Sequence, residues 1–136
     1  MNIKDLKVGN YIQHHNYGCV EVVGVFGSTD VYIKDDFDQD HLIPIDEFKP
    51  IPINDNNLTA FGYMIYGFNE SQSKSDWYWC AYDVHYGAID YQTNVLKLGS
   101  QKVKLEGVHH LQNIIYEISR KEVTQVKPEI LTCAGF

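Results

Sequence analysis

Val108-His109-His110-Leu111-Gln112-Asn113-Ile114-Ile115-Tyr116-Glu117-Ile118-Ser119 is the one long helical pattern in a chain otherwise written in strands and turns. Val108, Leu111, Ile115 and Ile118 recur at i, i+3, i+7 and i+10, and Ile114 widens the stripe, so one amphipathic helix with a single apolar face is predicted. That face has to be buried on something, and what precedes it is sheet. The expected fold class is therefore α+β and β-rich, with an antiparallel sheet packed by a C-terminal helix.

Working back from the helix, Tyr63 to Phe68, Trp77 to Val84, Ala88 to Tyr91, Val95 to Leu98 and Val103 to Leu105 read as short strands. The segments between them, Asn69 to Asp76, His85-Tyr86-Gly87, Gln92-Thr93-Asn94 and Gly99-Ser100-Gln101, read as turns, so the strands pair as antiparallel hairpins. Ahead of them, Asn54 to Gly62 reads as a short linker helix with an Asn or Asp cap and Gly62 at its C-terminal stop. Residues 1–53 form a separate small β unit, SH3-like or barrel-like, with strands at Tyr11 to Gln13, Cys19 to Phe26 and Val31 to Lys34. Gly24 fits a bulge within the second of these. Pro44, Pro50 and Pro52 then take the chain out of the sheet as a connector or an edge, because each removes a ladder donor. The organisation is thus a β unit over 1–53, the linker helix, sheet and final helix over 54–122, and a tail over 123–136, all in one compact body.

Composition limits the function classes. Of 136 residues, 44% are hydrophobic and 21% charged, and ten Tyr, six Phe and two Trp favour sheet. The formal charge of −7, with only 11 Lys and Arg, makes nucleic acid an unlikely partner, since non-specific binding to phosphates rests on clustered cations. No apolar run approaches a bilayer span of roughly 20 residues and the first residues carry no signal-peptide pattern, so the chain reads as cytoplasmic with no membrane partner. Cys19, Cys80 and Cys133 are far apart and form no CxxC pair, which reads as reduced thiols rather than a disulfide framework or a zinc ribbon.

Three blocks, Leu6-Lys7-Val8-Gly9-Asn10-Tyr11-Ile12, Phe48-Lys49-Pro50-Ile51-Pro52-Ile53 and Val108-His109-His110-Leu111-Gln112-Asn113, resemble a family of small uncharacterised proteins of Bacteroides-group bacteria and of their phages and mobile elements. The blocks occur in that family's order. The resemblance implies a phage or mobile-element protein and brings no activity, cofactor or functional residue. The aromatic-rich middle and the ending Ile130 to Phe136 depart from the family pattern.

The candidate sites follow from residue type. Asp36, Asp38 and Asp40, with Glu47, stand at positions 1, 3, 5 and 12 of a calcium loop, the oxygen-rich spacing that a hard cation wants. His41 at the position where the turn needs Gly, Pro44 within the loop and a preceding strand favour a solvated acidic hairpin. His14-His15 and His109-His110 are adjacent pairs whose side chains diverge in regular structure, so neither makes a two-ligand clamp, and His109 and His110 are expected to cap or pack as neutral rings. No nucleophile elbow, P-loop or dinucleotide fingerprint is present, no cofactor is indicated, and a paired-acid hydrolase could be assembled from Asp76, Asp83 and Asp90, which sequence alone does not bring together. The aromatic strand Trp77 to Tyr82 leaves two readings open, a second core layer or an exposed aromatic surface. On the surface reading Tyr78, Tyr82, Tyr66 and Tyr91 line a site for a host protein or a small ligand. The function expected is that of a non-enzymatic intracellular binding protein, the alternatives being a metal-dependent or nucleotide-processing enzyme and an acidic mimic of nucleic acid.

Overall fold

A computed structural model describes residues 1–68, 77–82, 85–98 and 100–119, with the backbone alone at 55, 64–68, 77–82, 85–86 and 119. The expected turn over 69–76, Asp83 and the tail over 123–136 lie outside the described residues. The first sheet comprises β1 (Tyr11–His14), β2 (Gly18–Phe26), β3 (Asp30–Lys34), β4 (Asp40–Pro44) and β5 (Phe48–Lys49). A short helix α1 (Asp55–Ala60) leads to the second sheet, β6 (Met64–Phe68), β7 (Trp77–Tyr82), β8 (His85–Asp90), β9 (Val95–Leu98) and β10 (Gln101–Lys104), and α2 (Val108–Ser119) follows. Both sheets are antiparallel, ordered β4-β3-β2-β1-β5 and β10-β9-β8-β7-β6. The fold is α+β and β-rich, as the sequence implies. The first sheet keeps the meander expected of an SH3-like unit but stays open, with β4 and β5 as its edges.

Local chemistry sets these elements. Asn54 caps α1 by accepting from the Asn57 backbone N–H at 2.8 Å, and Gly62, at φ +88°, takes the left-handed conformation that ends the helix. Gly18 turns β1 into β2 at φ +72°, which an L side chain rarely adopts. The ladder between β2 and β3 slips between Val22 and Gly24, the bulge expected at Gly24, and the Tyr32 ring rests on the space a side chain there would fill. Residues 40–44 form edge strand β4, the edge alternative expected for the proline stretch, with Pro44 at the last position, where a missing donor costs little. One expectation is corrected. His85-Tyr86-Gly87 belongs to β8 rather than to a turn. Gly87 serves close strand approach, since a Cβ there would lie 2.8 Å from the Lys97 carbonyl oxygen.

Two cores result. The first, under the N-terminal sheet, joins Ile3 and Leu6 to Ile12, Val20, Val22, Val31, Ile33, Ile43 and Phe48. The second joins the connector residues Ile51 and Ile53, Leu58 and Phe61 of the α1 region, Ile89, Leu96 and Leu105, and Val108, Leu111 and Ile115 of α2. Strand β1 serves both. Ile12 enters the first core, while the Tyr11 ring meets Phe61 edge-on at 5.0 Å in the second. Cys19 packs on the second core and is disulfide-bonded, which corrects the reading of reduced thiols; its partner atom lies outside the described side chains.

The apolar stripe of α2 is as expected at Val108, Leu111 and Ile115, but Ile118 is 47% exposed. The polar residues His109 and Gln112 are buried on the inward side instead, so α2 faces more than one neighbour. Gln112 accepts from the Tyr11 N–H at 2.9 Å and donates to the Gly9 carbonyl at 3.1 Å. Asn113 accepts from the Asn10 side chain at 2.8 Å and donates to the Asp5 carbonyl at 2.8 Å. Among the described residues no helix is long and apolar enough to cross a membrane.

Leu111→Ala is expected to cost about 2 to 5 kcal/mol in a denaturant melt, because it opens a cavity in the second core. Ile118→Ala, at the exposed end of the same stripe, should change stability by less than about 0.5 kcal/mol.

Candidate functional site

The turn joining β1 to β2 and the hairpin joining β3 to β4 come together at one end of the first sheet, and between them they carry most of its polar aromatic chemistry. Strand β1 ends at His14, so His15 already belongs to the turn and escapes strand alternation. The two rings therefore stack, with centroids 4.3 Å apart and planes 24° apart, where adjacent positions on a strand would diverge. Tyr17, from the same turn, lies 5.1 Å from the His14 ring and 4.7 Å from that of His41 on β4. Phe48 on β5 closes the cluster from below, edge-on to His14 at 5.2 Å.

Hydrogen bonds fix both buried-side imidazoles. The Asn16 backbone N–H donates to His14 Nδ1 at 3.0 Å, which leaves Nε2 to carry the proton and donate to Glu47 Oε1 at 3.1 Å. His41 Nε2 donates to Asp35 Oδ2 at 2.9 Å, and the Tyr17 hydroxyl lies 3.4 Å from the remaining Nδ1, where it donates. The other oxygen of Asp35 accepts from the backbone N–H groups of Phe37 and Gln39, both at 2.9 Å, while the Asp35 N–H donates to the Gln39 carbonyl. One carboxylate thus ties the hairpin loop to itself and to β4. The His41 ring above all, then the Gln39 and Phe37 amides, hold the Asp35 carboxyl below the usual carboxylate value, so it is ionised at neutral pH.

This pinned loop presents Phe37, which is 84% exposed, between Asp36 and Asp38. Asp38 sits at φ +65°, a left-handed conformation that Asp tolerates in turns, and its carboxylate is 3.5 Å from Lys34 Nζ. On the outer face of the same two strands, Tyr32 and Leu42 form an exposed cross-strand pair.

Of the calcium-loop candidates, Asp36, Asp38 and Asp40 are exposed in the hairpin, and Glu47 is turned to His14 instead. Among the described residues no three His, Cys, Asp or Glu side chains converge as metal ligands. Of the tyrosine set, Tyr91 packs against the second core. Tyr66 lies on β6, and Tyr78 and Tyr82 lie on β7 between β6 and β8, with side chains outside the described ones. Asp90 accepts from the Gln92 N–H and the Thr93 hydroxyl as a turn residue, while Asp76 and Asp83 fall outside the described residues. Sequence reasoning missed the site built from Tyr17, Asp35, Phe37 and His41. Its local signal was Asp35-Asp36-Phe37-Asp38-Gln39, an aspartate placed to accept from amides two and four residues on.

No family model matches the chain, and no curated protein or solved structure matches it either.

Asp35→Ala should strip hydrogen-exchange protection from the Phe37 and Gln39 amides while leaving Ile33 and Ile43 in the neighbouring strands protected. Unchanged protection at Phe37 and Gln39 would show that the loop keeps its shape without the carboxylate.

Proposed function

We propose that this is a non-enzymatic binding protein that engages another protein through the β3–β4 hairpin, with Phe37 as its apolar anchor and Asp36, Asp38 and Asp40 as an acidic rim. The observation that carries this reading is a phenylalanine left almost wholly in water at the tip of a loop that three donors to one carboxylate hold in shape. Burying such a ring is worth about 1.5 to 3 kcal/mol, and a loop already ordered loses little entropy on docking. A few rigid aromatic anchors dominate protein interfaces, whereas a solvated loop with no partner gains nothing by displaying one. The carboxylates around it, on a chain of net charge −7, suit a pocket rimmed by Lys or Arg and speed encounter with it.

For a phage or mobile-element protein, the origin that the resemblance in the sequence implies, a host protein is the partner proposed. Disulfide-bonded Cys19 favours an oxidising compartment over the cytoplasm expected from the lack of a signal-peptide pattern. The order Asp35, His41, Tyr17 is that of an acid–base relay, but at 3.4 Å its last link is long, and the relay's evident work is to brace the loop.

A photo-crosslinking amino acid at position 37 should give one discrete protein adduct that weakens with added salt and vanishes when Asp36, Asp38 and Asp40 are changed together to Asn. The same probe at exposed Lys102 on β10 is the control. Equal yields from the two positions, or no adduct at position 37, would remove the hairpin as a binding surface.

A further inference from the structure

His109 stands in the first turn of α2, wholly buried, with neither ring nitrogen hydrogen-bonded. A neutral imidazole carries one donor and one acceptor, and leaving both unmatched in a dry interior costs free energy at every pH. The turn is pressed on the connector between the two sheets: the Val108 N–H donates to the Ile51 carbonyl at 3.0 Å, and a Cβ on Gly107 would lie 2.6 Å from the Pro50 ring and 3.4 Å from His109 Nδ1.

The ionisable groups that face the ring, among the described residues, are Glu106, with Oε2 3.6 Å from Nε2, His110 beside it and Asp5 of the N-terminal turn. Next to the ring, at Gly107, the connector lies close, with the Pro50 ring and the Ile51 carbonyl nearest the space a Cβ would take. His110 has its own task. Its Nδ1 accepts from the Glu106 N–H at 3.2 Å and so satisfies a backbone donor just ahead of the helix, where Gly107 supplies no capping side chain. A positive charge on His109, in the first helical turn, would oppose the helix dipole.

We propose that the first turn of α2 is an acid-operated release: protonation of His109 loosens the turn from the Pro50–Ile51 connector and with it the grip that α2 holds on β1. Burial, resisted by the charge of Glu106, keeps His109 below the ordinary histidine value. The sign follows from linkage. Between the unfolded value near 6.5 and the lower folded one, the unfolded chain binds more protons than the folded chain, so stability is complete above about pH 6.5 and declines as pH falls through that window. The device is independent of the hairpin reading above.

The test compares circular-dichroism melts of the oxidised full chain at pH 7.5 and 5.5. The wild type should lose about 3 °C or more over this range, and His109→Leu, which fills the site without titrating, should lose most of that dependence. Hydrogen exchange in the wild type, corrected for its intrinsic pH dependence, supplies a second readout that needs no variant. At pH 5.5 the His110 and Leu111 amides should lose protection while Ile89 and Leu96 in β8 and β9 keep theirs. A flat wild-type profile, an equal fall in His109→Leu, or first-turn amides as protected at pH 5.5 as at 7.5 would overturn the proposal.

Discussion

Two side-chain amides on one face of α2 hold the molecule together. The Gly9–Tyr11 segment already pairs with Val22 through the Gly9 N–H and the Asn10 carbonyl, and Gln112 and Asn113 add bonds to the Gly9 carbonyl, the Asn10 side chain, the Tyr11 N–H and the Asp5 carbonyl, so the N-terminal sheet is attached to the C-terminal helix by directional bonds. Gln112 is buried, and a buried amide left without partners costs about 1 to 3 kcal/mol, so only a narrow range of helix positions satisfies the set. Apolar contact alone tolerates sliding. The amide bonds set the position, and the apolar residues Val108, Leu111 and Ile115 supply most of the stabilisation.

From that attachment the rest follows. With β1 buried on both faces, its end at His14 is fixed, and His14 in turn anchors the turn through Asn16 and β5 through Phe48. Tyr17 and His41 carry the constraint across to the β3–β4 hairpin, where Asp35 sets the loop that displays Phe37. The proposed binding surface is therefore built on rigid elements, which is the arrangement that keeps the cost of docking low. The acid-sensitive turn lies at the other end of the same chain of contacts, at the start of the helix that makes the attachment.

Much of the architecture was legible because it depends on short-range chemistry. The Asn54 cap, the stop at Gly62, the bulge at Gly24 and the helical stripe each have a local cause that composition and spacing carry. What could not be read depends on distant partners. Gln112 is a surface residue by type and becomes interior only because Gly9 and Tyr11 arrive opposite it. Gly87 looks like a turn until β9 is found to need its missing side chain. His14 and His15 seem to diverge until the strand is known to stop between them. The candidate site was hidden for the same reason: Tyr17 and His41 are neighbours only through sheet order, and a phenylalanine in a polar loop gives no sign that it remains in water.

Native-state hydrogen exchange tests the central claim that the α2 amides make one cooperative body of two sheets. In the wild type the slowest amides of the first sheet, such as Ile12 and Val31, should open with the same free energy as Ile89 and Leu96 of the second. In Gln112→Ala the two sets should separate, the first sheet opening at lower free energy while the second keeps its protection. If both sets stay equal and unchanged in Gln112→Ala, the attachment lies elsewhere and the account is contradicted.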